Sequence, residues 1–270
     1  MEKYKRNERI GAIIKILADN PNKVITYNFF SEKFFAAKSS ISEDILVVKK
    51  IIENLEMGKI ETVSGAAGGV KYVPSMSHGD REYFLEEVCK KLRDPERIIP
   101  GGFLYYTDIL YMPDIVDKLG RIIAGKYLYE KVDYVVTMET KGIPVALMTA
   151  RYLNIPLVIV RRQTRVTEGT TVTINYISGS SSKIGTMSLS KRAMKKGSNV
   201  VIVDDFMKGG GTIKGIISMM EEFEAEVKGV SVLIATKEPE KKLVQDYNPL
   251  MVIRNLDPES GAIDIIPYNE

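Results

Sequence analysis

The sequence has one cysteine, Cys89, and one histidine, His78, in 270 residues. A single cysteine excludes an internal disulfide framework. The lone histidine sits in a polar stretch with no Cys or His partner, so no metal-ligand constellation is expected. No run of about 18 apolar residues is present, so no membrane-crossing helix is expected either. The opening residues, Met1-Glu2-Lys3-Tyr4-Lys5-Arg6, are charged and lead into no apolar segment of the secretory kind. These absences make a cytoplasmic protein without a membrane partner the expectation. Cys89 reads as a packing residue in a helix over 81–92. The net charge is only +3, and the mean hydropathy of -0.07 is ordinary for a globular chain. The charge is unevenly placed. Residues 1–74 hold 12 Lys and Arg against 9 Asp and Glu, while 75–270 balance at 26 of each. The whole excess lies in the first quarter, which hints at nucleic acid there.

The length suits two domains. Over 1–74 the pattern predicts three helices and a hairpin. Ile10, Ile13, Ile14 and Leu17 fall at helical spacing over 8–19, before Pro21. Thr26 is placed to cap a helix over 27–35. Ser39 or Ser40 is placed to cap a longer one to about 56, with Glu43 three residues after Ser40 as in a capping box. Residues 59–63 and 70–73 then read as a hairpin around a glycine-containing turn. Residues 74–80 read as a linker. Over 75–270 short apolar strands (134–138, 157–160, 199–203, 230–235) alternate with helices (144–153, 214–226), which implies a parallel sheet covered on both faces. The alternating stretch 170–190 reads as a projecting hairpin.

One string carries specific chemistry: Val200-Val201-Ile202-Val203-Asp204-Asp205-Phe206-Met207-Lys208-Gly209-Gly210-Gly211-Thr212. A buried strand ends in two carboxylates, a glycine-rich turn follows, and a helix begins. Glycines let backbone N–H groups approach an anion closely. The helix N-terminus adds partial positive charge, and the Thr212 hydroxyl adds a donor. Adjacent carboxylates accept hydrogen bonds from the vicinal hydroxyls of a ribose. Ligands of such sheets sit at the carboxyl ends of the strands. No Gly-Lys-Ser/Thr ending is present, which excludes a Walker A loop.

This string resembles the phosphoribosyl pyrophosphate (PRPP) motif of type I phosphoribosyltransferases. The resemblance gives roles to further residues. Thr140, Lys141 and Gly142, between the strand 134–138 and the next helix, correspond to the loop that binds pyrophosphate. Arg161 and Arg162 follow the next strand, placed to meet pyrophosphate oxygens. Residues 164–190 correspond to the loop that covers the site. Phe103, Tyr105 and Tyr106 fall where the family builds its base-binding hood, with Phe103 and Tyr105 as base-pocket candidates. Lys208 departs from the pattern, because the enzymes usually carry a small residue there.

The three helices and hairpin of 1–74 form a winged helix-turn-helix pattern. Lys38, Ser39, Ser40 and Ser42 open its third helix with small, polar and basic groups suited to phosphates and base edges. Lys5 and Arg6, with Lys3 and Arg9, surround the first helix, and Lys71, with Lys59, flanks the wing. For any one lysine a solvated face explains its presence as well; the combination favours DNA.

A winged helix joined to a phosphoribosyltransferase-like domain resembles the Gram-positive purine operon repressor family. The resemblance extends through Ser39-Ser40-Ile41-Ser42-Glu43-Asp44, Gly65–Tyr72, Val166-Thr167-Glu168-Gly169, Asn175-Tyr176 and Asp204–Lys208. It implies an α/β fold, with a winged helix-turn-helix over 1–74 and a type I phosphoribosyltransferase-like parallel sheet domain over 75–270. It also implies a homodimer that binds a duplex DNA operator of purine genes, and no transferase activity. The effector implied is PRPP, with Mg2+ as an optional companion and guanosine polyphosphate alarmones (ppGpp) as competitors. No cofactor or resident metal is required. Two other classes fit the residues: a purine phosphoribosyltransferase with an appended domain, and an RNA-binding regulator using the basic N-terminus.

Overall fold

The computed structural model describes residues 4–65, 68–164, 166–177 and 184–268. The N-terminal unit comprises α1 (Arg6–Asp19), β1 (Ile25–Thr26), α2 (Tyr27–Phe34), α3 (Lys38–Asn54), β2 (Gly58–Val63) and β3 (Gly69–Pro74). The strands form an antiparallel sheet in the order β1-β3-β2. The helical stripes expected from periodicity meet in one core, with Ile13, Phe30, Ile41, Val48, Ile60 and Val70 all buried. Thr26 caps α2 as its position suggests, its hydroxyl accepting from the Phe29 N–H at 3.2 Å. The expected cap of α3 does not form. That helix starts two to three residues earlier, with Ala37 as its cap, and both Ser39 and Ser40 lie inside the first turn. Their hydroxyls are thereby left for other partners.

The expected linker is shorter than 74–80. Strand β3 runs through Pro74, and α4 (His78–Leu92) begins once Ser77 accepts from the Asp80 N–H at 3.1 Å. His78 therefore opens a helix. Cys89 is buried in that helix, and burial pushes its thiol up to about 12. A small hairpin of β4 (Ile98–Ile99) and β5 (Phe103–Leu104) follows, then α5 (Thr107–Leu110) and α6 (Pro113–Gly125).

The main sheet comes next, with β6 (Tyr134–Met138), α7 (Ile143–Leu153), β7 (Leu157–Val160), the hairpin β8 (Thr171–Ile177) and β9 (Ile184–Ser190), β10 (Asn199–Met207), α8 (Gly211–Glu222), β11 (Glu226–Thr236), β12 (Asn248–Asp257) and β13 (Ala262–Pro267). Its order is β13-β12-β11-β10-β6-β7. All neighbours are parallel except β13, which runs antiparallel to β12. Both faces are covered. Along β10, Val201 and Val203 enter the core under α4, α6 and α7, while Val200 and Ile202 enter the core under α8 and the β8–β9 hairpin. The chain leaves β6 toward β7 on one side and β10 toward β11 on the other. The carboxyl ends of β6 and β10 therefore flank the crevice where such sheets bind ligands.

Two expectations need correction here. Strand β10 continues through Asp204 and Asp205 to Met207, so the acid pair belongs to the strand. The hairpin is not wholly projecting. Tyr176 and Met187 are buried in the core with α8, and a Cβ on Gly215 of that helix would lie 2.6 Å from Met187.

Candidate functional site

Strand β10 passes through the middle of the sheet, which takes Asp204 to a position only 4% exposed. Burial and the adjacent Asp205 carboxylate push the Asp204 carboxyl well above its ordinary range, and the Arg162 guanidinium opposes the shift weakly. The Asp204 side chain accepts from the Asp205 N–H at 3.0 Å. Asp205 is less buried, and the Tyr106 hydroxyl donates to its Oδ2 at 2.6 Å. Burial and the two carboxylates raise Tyr106, so its phenol stays a donor. The Tyr106 ring lies over Phe206 at 6.0 Å, and the Lys141 ammonium sits 4.6 Å from its centroid on a cation–π contact.

A cleft of about 430 Å³ opens above this pair. Its walls come from four places, one of them Tyr106 at the start of α5. Of the others, the first is β10 and the following loop, Asp204 through Thr212. The second is Thr140 and Lys141 after β6, and the third is Arg162 after β7. Gly210 adopts φ 81° and leads into α8 at Gly211. The loop is held from behind: the buried Lys242 ammonium donates to the Lys208 carbonyl at 2.8 Å, and the Leu243 N–H donates to the Gly209 carbonyl at 3.0 Å. Gly142 does not line the cleft, but it shapes it. A Cβ there would fall 2.4 Å from Thr137 Oγ1 and 2.8 Å from Asp204 Oδ1. Only glycine lets α7 start this close to the acid. The Glu139–Thr140 peptide bond is cis.

The structure separates the two arginines. Arg161 is engaged by Glu139 at 3.2 Å and Glu168 at 2.8 Å and does not line the cleft. Arg162 does, with its backbone N–H donating to Glu139 Oε1 at 2.8 Å. The base-pocket assignment also shifts. Phe103 and Tyr105 are exposed and outside the lining, and Tyr106 is the aromatic that faces the cleft. Their alternation along the chain explains this, since Tyr105 points away from the neighbour that turns inward. No described residue of the β8–β9 hairpin lines the cleft, and part of its tip, 178–183, lies outside the described residues.

On the N-terminal unit, Lys38, Ser39 and Ser42 are exposed on the first turn of α3, with Ser40 half-buried. Lys5 is exposed at the start of α1. Arg6 is exposed but 3.3 Å from Asp44, and Arg9 is buried 2.7 Å from the same carboxylate. Asp44 thus ties α1 to α3, and Arg9 is structural. Lys71 pairs with Glu61 at 3.1 Å across the wing, which reduces the charge it can offer outward.

Residues 5–74 match the family described as bacterial purine repressor, N-terminal, and residues 106–264 match the phosphoribosyl transferase domain. Over 263 residues, 97% of this chain and 92% of the other, the sequence is 46% identical to the purine biosynthesis transcriptional repressor PurR of Bacillus subtilis (strain 168). The chain belongs to the PurR family. PurR proteins include activators as well as repressors. The Lactococcus lactis subsp. lactis (strain IL1403) member is a purine biosynthesis transcriptional activator, 42% identical over 261 residues, 97% of this chain and 96% of that one. Among solved structures, adenine phosphoribosyltransferase from Thermoanaerobacter pseudethanolicus superposes with a TM-score of 0.53 at 24% identity, covering 61% of this chain and 96% of that one. That likeness shows the fold of the second PurR domain.

Sequence reasoning missed three parts of this PurR-family cleft. Glu139 organises both arginines. Lys242 braces the glycine-rich loop. Tyr106 anchors Asp205. Only Tyr106 had a usable signal, as the middle of an aromatic cluster in the expected hood region.

Proposed function

We propose that this chain is a DNA-binding repressor of purine biosynthesis genes that senses PRPP in the cleft above Asp204 and Asp205. The observation that carries the reading is a single chain with an exposed, polar α3 start and a cleft whose acid pair, glycine loop and basic side walls match the parts of PRPP. In this reading Asp204 and Asp205 accept from the ribose hydroxyls. Residues 208–212 hold the 5′-phosphate at the start of α8. Thr140, Lys141 and Arg162 meet the pyrophosphate, and Gly142 keeps α7 close. Mg2+ accompanies the pyrophosphate where needed, and ppGpp competes for the same walls. Tyr106 takes the base-side position instead of Phe103 and Tyr105. Lys38, Ser39, Ser40 and Ser42 read the operator, with Lys5 and Arg6 on flanking phosphates, and two copies bind together. PRPP shifts operator affinity only by preferring one conformation of the chain over another.

The test is operator binding with and without PRPP for the native chain and for Asp204→Ala. PRPP weakens operator binding of the native chain. Asp204→Ala binds operator normally and no longer responds; an equally responsive variant means the site is misassigned. The enzyme reading is separated by incubating the chain with PRPP, magnesium and each purine base. Nucleotide formation at ordinary turnover would defeat the regulator-only reading.

A further inference from the structure

The junction between the two units contains a second cavity, of about 360 Å³, which shares no lining residue with the cleft above the acid pair. That volume falls within the roughly 300–1,000 Å³ range of small-ligand sites. Four charged side chains line it, and all four are cationic: Lys59 from the base of the wing, Arg81 from α4, and Arg121 and Lys126 from α6 and its end. Among the described residues no carboxylate lines it. Two of the guanidinium groups are incompletely used. Arg81 Nη2 and Arg121 Nε are buried and have no hydrogen-bond acceptor among the described residues. Lys126 donates to the Asn248 side-chain oxygen at 3.2 Å. Asp117 pairs with Arg151 at 3.0 Å while lying 3.5 Å from Arg121, and Glu61 pairs with Lys71 at 3.1 Å.

The Arg81 and Lys126 charges oppose one another, whereas the Tyr152 hydroxyl and Asp117 favour the charged form of Arg121. Burial and the Arg81 charge both hold the Lys126 ammonium below its ordinary range. The two buried guanidinium nitrogens without acceptors are kept at a cost unless an anion accepts from them. Guanidinium groups prefer planar, multidentate oxyanions, and a four-cation cavity favours a ligand with several negative charges.

We propose that this cavity is a binding site for a small phosphate-bearing anion, of the diphosphate class, that clamps the winged-helix unit to the effector unit. Duplex DNA is the less suitable occupant. Lys59 stands near the C-terminal end of α3, and the 17 residues of that helix put its polar opening turn about 24 Å away. The inference is independent of what occupies the Asp204 cleft.

The probe is inorganic pyrophosphate, titrated calorimetrically into the full chain and into Arg81→Gln. The variant is expected to bind one pyrophosphate fewer per chain than the native protein, whatever binds at the other cleft. Its melting temperature without anion is expected to be unchanged or higher, because a repulsion is removed and no hydrogen bond from the Arg81 Nη2 is lost. A merely structural arginine would give the opposite result, a lower melting temperature with unchanged stoichiometry. Equal stoichiometry in both proteins overturns the proposal, as does an equal thermal stabilisation by KCl at matched ionic strength. Should Arg81→Gln not fold, exposed Lys59→Gln decides. At least threefold weaker pyrophosphate binding supports the site, and unchanged affinity sinks it.

Discussion

Asp204 is the residue at which ligand binding and stability oppose each other. Its carboxyl is buried beside a second carboxylate, so its ionised form is disfavoured in the folded chain. A folded value above the unfolded one means the folded state holds the extra proton between the two values. Asp204 therefore contributes stability that falls as pH rises from the unfolded value, about 3.9, through the folded one. Asp204→Asn is expected to melt higher than the native chain at pH 7.5 by roughly 2–4 °C, the shift that about 1 kcal/mol produces at this size. The gain should vanish toward pH of about 4, where both side chains are neutral. Scanning calorimetry across that range checks it, and a gain independent of pH would point to a packing effect instead. Under the proposed function, ribose hydroxyls donating to the buried oxygens would offset the same penalty, so that a residue unfavourable for stability serves recognition.

Helices α1 and α3 divide the basic residues of the N-terminal unit into two kinds. Arg9 is buried against Asp44, itself 1% exposed, so Arg9→Ala leaves the buried carboxylate with only the exposed Arg6 at 3.3 Å. A loss of about 3–5 kcal/mol is expected, with operator binding lost through unfolding of the unit. Lys38 is exposed at the opening of α3. Lys38→Ala should leave the melting temperature unchanged, weaken operator binding and reduce its salt slope by about one. Denaturation and binding isotherms at several salt concentrations separate the two. Sequence alone does not make this division, because Arg6 and Arg9 look alike until Asp44 is brought over from α3, 35 or more positions away. The same limit explains what was legible elsewhere. Period-2 and period-3.6 patterns exposed β6, α7, β7, β10 and the three helices of the first unit, since each buries one stripe against a core. The glycine loop and acid pair were legible because backbone approach to an anion restricts residue type locally. Helix boundaries drifted where a cap depended on tertiary packing, as at Ala37. Strands β12 and β13 were not foreseen. The Glu139 and Lys242 braces were invisible because their partners are distant or are backbone carbonyls, which no residue type announces.

The two units meet through few polar contacts. The Asn22 amide donates to the Tyr152 carbonyl at 3.2 Å, and the Tyr129 hydroxyl donates to Glu61 at 3.0 Å. If the effector unit communicates with the wing, these contacts carry part of the coupling. Removing both, as Asn22→Ala with Tyr129→Phe, is expected to leave PRPP affinity intact and reduce its effect on operator affinity by roughly five- to tenfold, the worth of about 1 kcal/mol or slightly more. Paired titrations of ligand and operator test this, and an unchanged coupling factor would place the communication elsewhere. The loop beyond Asp205 behaves differently from this sparse junction. Lys242 and Leu243 fix its carbonyls from behind before any ligand arrives. A cradle shaped in advance has no ordering step to complete on encounter, so capture is set by diffusion and charge, and the duration of the bound state by dissociation alone. Under the proposed function, such a sensor would keep no memory longer than one residence time, and would follow a falling PRPP pool within that time.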